Sequence, residues 1–146
     1  MIRGHFVRVG EANRPVIEAS FQVPGYPRRF RVTLLVDTGS DYTAIGPEDA
    51  VRLARELPTN LRMLPVGHAG TGVGGIVATR TVEGVLTLGD FSTALTLTIL
   101  EPRPVLPPIP SLLGRDILSR FALVLEERTQ RVLLLEPAEA DALGLP

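Results

Sequence analysis

Apolar residues along the chain fall mostly in short runs rich in Val, Ile, Leu and Thr, separated by glycines and prolines. That pattern predicts a mainly β domain. Strands are expected over Phe6–Val9, Val16–Gln22, Phe30–Val36, Met63–His68, Ile76–Leu88, Thr93–Leu100, Leu123–Glu127 and Arg131–Leu135. Two stretches carry helical signals instead. Pro47–Leu57 opens with a proline at a first-turn position and with Glu48 and Asp49 where acids suit the helix dipole, and its Ala50, Leu53, Ala54 and Leu57 share one face. Arg115–Phe121 is shorter, with Ile117, Leu118 and Phe121 as its apolar side. Between them, Glu101–Pro110 holds five prolines and predicts a stiff, extended surface loop rather than an SH3-type ligand. No repeat, low-complexity tract or domain boundary interrupts the pattern. One domain over residues 1–146 is expected, with a tail from Ala138 to Pro146 that frays.

Composition narrows the chemistry. The chain has 146 residues, no cysteine and only two histidines, His5 and His68. A disulfide framework, a zinc–thiolate site, a thiol nucleophile and a His-rich metal cluster are therefore all excluded, and no metal or other cofactor is expected. Fifteen basic residues, every one an arginine, nearly balance sixteen acids, for a net charge of -1. Neither a nucleic acid nor an anionic membrane is an expected partner. The N-terminal residues lack the apolar core of a signal peptide, and no segment approaches the ~20 apolar residues that span a bilayer, so a cytoplasmic location is expected. Catalysis, if present, has to run on carboxylates, hydroxyls or arginines.

The run Val32-Thr33-Leu34-Leu35-Val36-Asp37-Thr38-Gly39-Ser40 concentrates the candidate chemistry. An apolar strand ends abruptly in an acid, a hydroxyl, a glycine and a second hydroxyl. A carboxylate at the end of a buried strand needs donors to offset its desolvation. Thr38 and Ser40 bring hydroxyls, and Gly39 allows a tight turn with exposed amides. Three readings fit these residues: an ordinary Asx-type turn, a phosphoryl-transfer aspartate and an aspartic-protease carboxylate. The second normally needs a helix-rich α/β domain and further metal-binding carboxylates, which the chain does not offer.

The segment Ser111-Leu112-Leu113-Gly114-Arg115-Asp116-Ile117-Leu118 separates them. Taken with Leu-Leu-Val-Asp-Thr-Gly-Ser, in this order and with a glycine-rich hairpin candidate between, it resembles the retropepsin-like, single-lobe aspartic proteases of retroviruses and their bacterial relatives. The resemblance runs from the Phe30 strand to the Arg131 strand. It implies a β barrel with one or two short helices, working as a two-fold symmetric homodimer that hydrolyses peptide bonds in a peptide or protein substrate. It further implies that Asp37 is the catalytic aspartate, one per chain, and that Thr38 reaches across the two-fold axis. Gly39 would set substrate against backbone, and Asp41 would pair with Arg115, whose planar fork suits a carboxylate. A Ser40 hydroxyl donating to the catalytic carboxylates would favour their ionised form and draw the activity profile toward acid.

Gly70-Thr71-Gly72-Val73-Gly74-Gly75 formally contains a G-x-G-x-x-G pattern. A dinucleotide loop should open a helix, but the β-branched Ile76-Val77-Ala78-Thr79 that follows is strand-like. A hairpin tip fits better, and the resemblance makes it the flap that closes over a bound peptide. The extra helix over Pro47–Leu57 is closer to the bacterial relatives than to the retroviral enzymes. The alternative of a different class is a catalytically silent dimer whose groove binds a peptide or protein partner. The intact Asp-Thr-Gly-Ser argues against it, because a purely structural turn needs no acid there.

Overall fold

The computed structural model describes residues 1–57, 60–72, 75–102 and 109–146. Its elements in chain order are β1 (Ile2–Arg3), β2 (His5–Val9), β3 (Ala12–Gln22), β4 (Phe30–Val36), β5 (Ala44–Ile45), α1 (Pro47–Glu56), a 3₁₀ turn (Leu61–Met63), β6 (Gly70–Gly72), β7 (Gly75–Val77), β8 (Thr79–Leu88), β9 (Phe91–Leu100), β10 (Leu112–Leu113), α2 (Arg115–Leu118), β11 (Ala122–Glu126), β12 (Arg131–Leu135) and α3 (Pro137–Asp141).

Strict alternation shapes the barrel wall. Along β4, Phe30, Val32 and Leu34 are buried while Arg31 and Thr33 face solvent, the period-two signature of a sheet with one wet face. Ile17, Ala19 and Phe21 of β3, Leu86 and Leu88 of β8, and Leu97 and Ile99 of β9 meet them in one core. Among the described residues, seven strands pair in the order β2-β3-β4-β10-β5-β9-β8, and the far end of β3 returns to β8, with Ser20 opposite Thr87 and Gln22 opposite Val85. The sheet thereby closes as a six-stranded barrel with β2 as an outer extension. Closure depends on Gly84: a Cβ there would collide with the Gln22 carbonyl oxygen and lie 2.6 Å from Phe21 Cζ, so only glycine lets the two backbones approach. A smaller sheet, β1-β12-β11, packs beside the barrel.

The α1 helix forms for the reasons its sequence suggests. Pro47 occupies its first turn, Glu48 and Asp49 sit at its positive end, and Ala50, Leu53 and the capping Leu57 are buried against the barrel. Arg52 leaves this helix to lie 4.1 Å over the Phe30 ring.

Two expectations are corrected. Met63–His68 is not a strand: Asn60 caps the 3₁₀ turn through its side-chain oxygen (3.0 Å from Arg62 N), Pro65 has no N–H to donate, and pairing shrinks to a single bridge between Val66 and Arg80. The long Ile76–Leu88 strand divides at Ala78 into β7 and β8. Toward the C-terminus the chain forms α3, where Glu136 and Glu139 form a reciprocal capping box. The proline-rich Glu101–Pro110 segment falls largely outside the described residues.

Candidate active site

β4 carries Asp37 to the end of the barrel wall, and β10 holds it there. The two strands run parallel, with Leu35 N donating to Ser111 O (2.8 Å) and Asp37 N to Leu113 O (3.1 Å). The chain then turns sharply. Gly39 N–H donates to Asp37 Oδ1 at 2.9 Å and Ser40 N–H to Asp37 O at 3.3 Å. The carboxylate is thus oriented by its own turn while remaining part-exposed; Thr38 and Gly39 are exposed. This is the Asx-type geometry that the residues alone allow.

The turn is seated on α2 by backbone. Arg115 N donates to Ser40 O (2.8 Å) and Asp116 N to Asp41 O (3.1 Å). The side chain that locks it is Asp116. Its Oδ1 accepts from the Thr43 hydroxyl at 2.7 Å, both its oxygens lie 3.0 Å from Thr43 N, and Oδ1 also accepts from Ile117 N at 2.9 Å. Thr43 is fully buried, and its Oγ1 accepts from Gly114 N at 3.1 Å. A Cβ on Gly114 would overlap the Tyr42 carbonyl group and come within 2.8 Å of Thr43 N, so this contact is possible only for glycine.

These contacts revise two expectations. No ion pair joins Asp41 and Arg115 among the described residues; both side chains are exposed, and Arg115 serves the turn through its N–H. Ser40 does not hydrogen-bond the Asp37 carboxylate: its Oγ donates to Tyr42 O at 2.7 Å.

A second brace fixes α1 to β10. Buried Ser111 donates to Asp49 Oδ2 (2.6 Å) and accepts from Gly46 N (2.9 Å), while Arg52 Nη2 donates to Asp49 Oδ1 (2.9 Å) and to Arg31 O (2.7 Å). No group of three or more His, Asp or Glu side chains among the described residues is placed to hold a metal ion. Among the described residues, no helix is long and apolar enough to cross a membrane.

The closed barrel has counterparts among solved structures. A retropepsin-like aspartic protease from Rickettsia conorii superposes with a TM-score of 0.58 over 88% of this chain and 95% of its own, at 18% identity. EIAV protease, in complex with an inhibitor, gives 0.51 over 77% and 92%, at 20% identity. The fold is retropepsin-like. No family model and no curated protein matches the chain.

Within this retropepsin-like fold, Asp37, Thr38, Gly39, Ser40, Asp41 and the backbone of Arg115 come together at one turn. The glycine-rich segment forms a hairpin of its own. Gly70 pairs with Val77 and Gly72 with Gly75 across an antiparallel hairpin, with Gly75 in the left-handed region at φ 100°. Of the six residues assigned to the flap, Val73 and Gly74 lie outside the described residues. Thr79 anchors the hairpin base, accepting from Gly67 N through its carbonyl and donating from its hydroxyl to His68 O. Sequence reasoning misses Thr43, Asp116, Ser111 and Asp49. Thr43 and Ser111 carried a readable signal, as hydroxyls inside otherwise apolar segments, which demand a partner once buried.

Proposed function

We propose that the chain is an aspartic endopeptidase that works as a homodimer. The observation that carries this reading is the oriented, part-exposed carboxylate of Asp37 at the end of β4 in a retropepsin-like barrel. Each chain has one Asp-Thr-Gly, so a two-carboxylate site needs two chains related by a two-fold axis. Two carboxylates brought close cannot both ionise cheaply, so the pair shares one proton. The ionised member takes a proton from a water lying between them. The protonated member donates to the scissile carbonyl oxygen. The water oxygen bonds to the carbonyl carbon to give a gem-diol; the C–N bond then breaks as the amine nitrogen receives the proton taken from water, and a diol hydroxyl returns its proton to the other carboxylate. Pepsin and the retroviral enzymes hold such a dyad.

Exposed Thr38 is free to reach toward a second chain, and the Gly70–Val77 hairpin has the glycine content and, at Gly75, the left-handed backbone that suit a mobile flap. The test pairs a peptide-library cleavage assay with sedimentation. Wild-type protein should cleave, and specific activity should fall with dimer fraction on dilution. Asp37→Asn should remove cleavage and leave the dimer intact. Cleavage that survives in Asp37→Asn, or full turnover by a sedimenting monomer, rules the mechanism out. A wild-type dimer that binds peptides without cutting them makes the chain a silent binding module.

A further inference from the structure

At the end of the barrel opposite the Asp37 turn, the β3–β4 connection and the C-terminal turn of α1 border a half-open surface cleft of about 530 Å³ lined by Tyr26, Pro27, Arg28, Arg55, Glu56 and Leu57. Its volume falls in the range of small-ligand and peptide-side-chain pockets. The floor is apolar: Leu57 is buried, while Tyr26 stands 40% exposed at the rim. The walls are cationic. Arg28 and Arg55 are exposed, and neither forms an ion pair among the described residues. The one lining carboxylate, Glu56, lies 3.5 Å from the Arg52 guanidinium and is already compensated. Exposed Arg29 follows directly in sequence and adds positive charge beside the cleft, on a chain whose net charge is -1.

We propose that this cleft docks a peptide segment in which an acidic side chain neighbours an apolar one. The apolar side chain would rest on Leu57, Pro27 and the Tyr26 ring, and the carboxylate would be gripped by Arg28 and Arg55. Guanidinium forks match carboxylates with two parallel hydrogen bonds, and charge complementarity favours an acidic partner over a neutral or basic one. The site is remote from the chemistry. β4 separates Phe30 from Val36 by about 20 Å at ~3.3 Å per residue, so a segment docked here does not occupy the Asp37 turn of the same chain. It is a second recognition site, and it stands whether or not the chain is a peptidase.

Fluorescence anisotropy of a labelled Glu-Leu-repeat peptide against full-length protein tests this directly. Saturable binding that weakens with salt is expected. Arg28→Ala and Arg55→Ala should each weaken it by about tenfold, the value of one charge-assisted hydrogen bond, with Arg28→Glu abolishing it. Both arginines are exposed, and circular dichroism should confirm an unchanged fold in each variant. A Gln-Leu-repeat peptide should bind at least tenfold more weakly. Absence of saturable binding, equal affinity for the Gln peptide, or affinity unmoved by the arginine substitutions overturns the proposal. If inorganic phosphate at low millimolar concentration displaces the peptide from wild type, a simple anion site replaces the peptide site.

Discussion

Thr43→Val is the sharpest probe of what holds the Asp37 turn in place. Valine matches threonine in shape but removes one hydroxyl, and that hydroxyl serves two partners. It donates to Asp116 Oδ1 at 2.7 Å and accepts from the buried Gly114 N–H at 3.1 Å. A hydrogen bond to a charged acceptor contributes roughly 1.5–3 kcal/mol, and a buried donor left unpaired costs about 1–3 kcal/mol. Asp116 keeps its bonds from Thr43 N and Ile117 N, so the two losses overlap and about 3 kcal/mol in total is expected. For a domain of this size that corresponds to a fall in Tm of about 6–12 °C. Thr43→Ser keeps the hydroxyl and loses one methyl, so it should cost only about 1 kcal/mol. Arg115→Ala should stay within about 0.5 kcal/mol of wild type, because its exposed guanidinium makes no ion pair in the described structure. The chain has no tryptophan, so urea titrations followed by far-UV circular dichroism are the suitable assay, run at one protein concentration because dimerisation adds to apparent stability. The reasoning fails if Thr43→Val unfolds within 1 kcal/mol of wild type. It fails equally if Arg115→Ala is as damaging as Thr43→Val, which would restore the Asp41–Arg115 pair as the brace.

Two further outcomes follow from the same geometry. Ser40→Ala loses only the bond to Tyr42 O, so stability should drop by about 1 kcal/mol, and the pH dependence of kcat/KM should keep the same midpoints as wild type; a shifted profile would show that the hydroxyl turns to the carboxylates in the working dimer. Gly75→Val places a β-branched residue at φ 100° with open space around it, so the penalty is confined to the hairpin backbone, and peptide turnover should fall while the thermal midpoint of the barrel is preserved.

The barrel was legible where alternation is clean. Phe30–Val36 reads as a strand with one wet face and is one, and the Asp-Thr-Gly-Ser turn announces itself because an acid closes an apolar run. Reading failed where pairing depends on distant residues. Val66 has the composition of a strand residue, but Pro65 and the Asn60 cap leave it a single bridge. β5 and β10, of two residues each, are too short to show a period, yet they complete the wall between β4 and β9. The brace was misassigned for a related reason. Arg115 and Asp116 are adjacent, and which one faces the turn is decided by the α2 backbone, not by residue type. Exposed Arg115 points to solvent while Asp116 turns inward to Thr43.

The parallel pairing of β4 with β10 also dictates an order of events. Leu35 and Leu112 are neighbours in space, as are Val36 and Leu113, but more than half the chain separates them in sequence. Closing such a loop costs entropy before any contact offsets it, which places this step late in folding. During synthesis, Asp37 leaves the ribosome long before Leu113, Gly114 and Asp116 exist to seat it. The β3–β4 hairpin can form early from near neighbours, while its acid-bearing end stays unbraced. A nascent or truncated chain ending before β10 would therefore carry every residue of the Asp-Thr-Gly-Ser motif and its local Gly39–Asp37 bond, but none of the β10 and α2 contacts that seat the turn, so the site matures only when the last third of the chain has arrived.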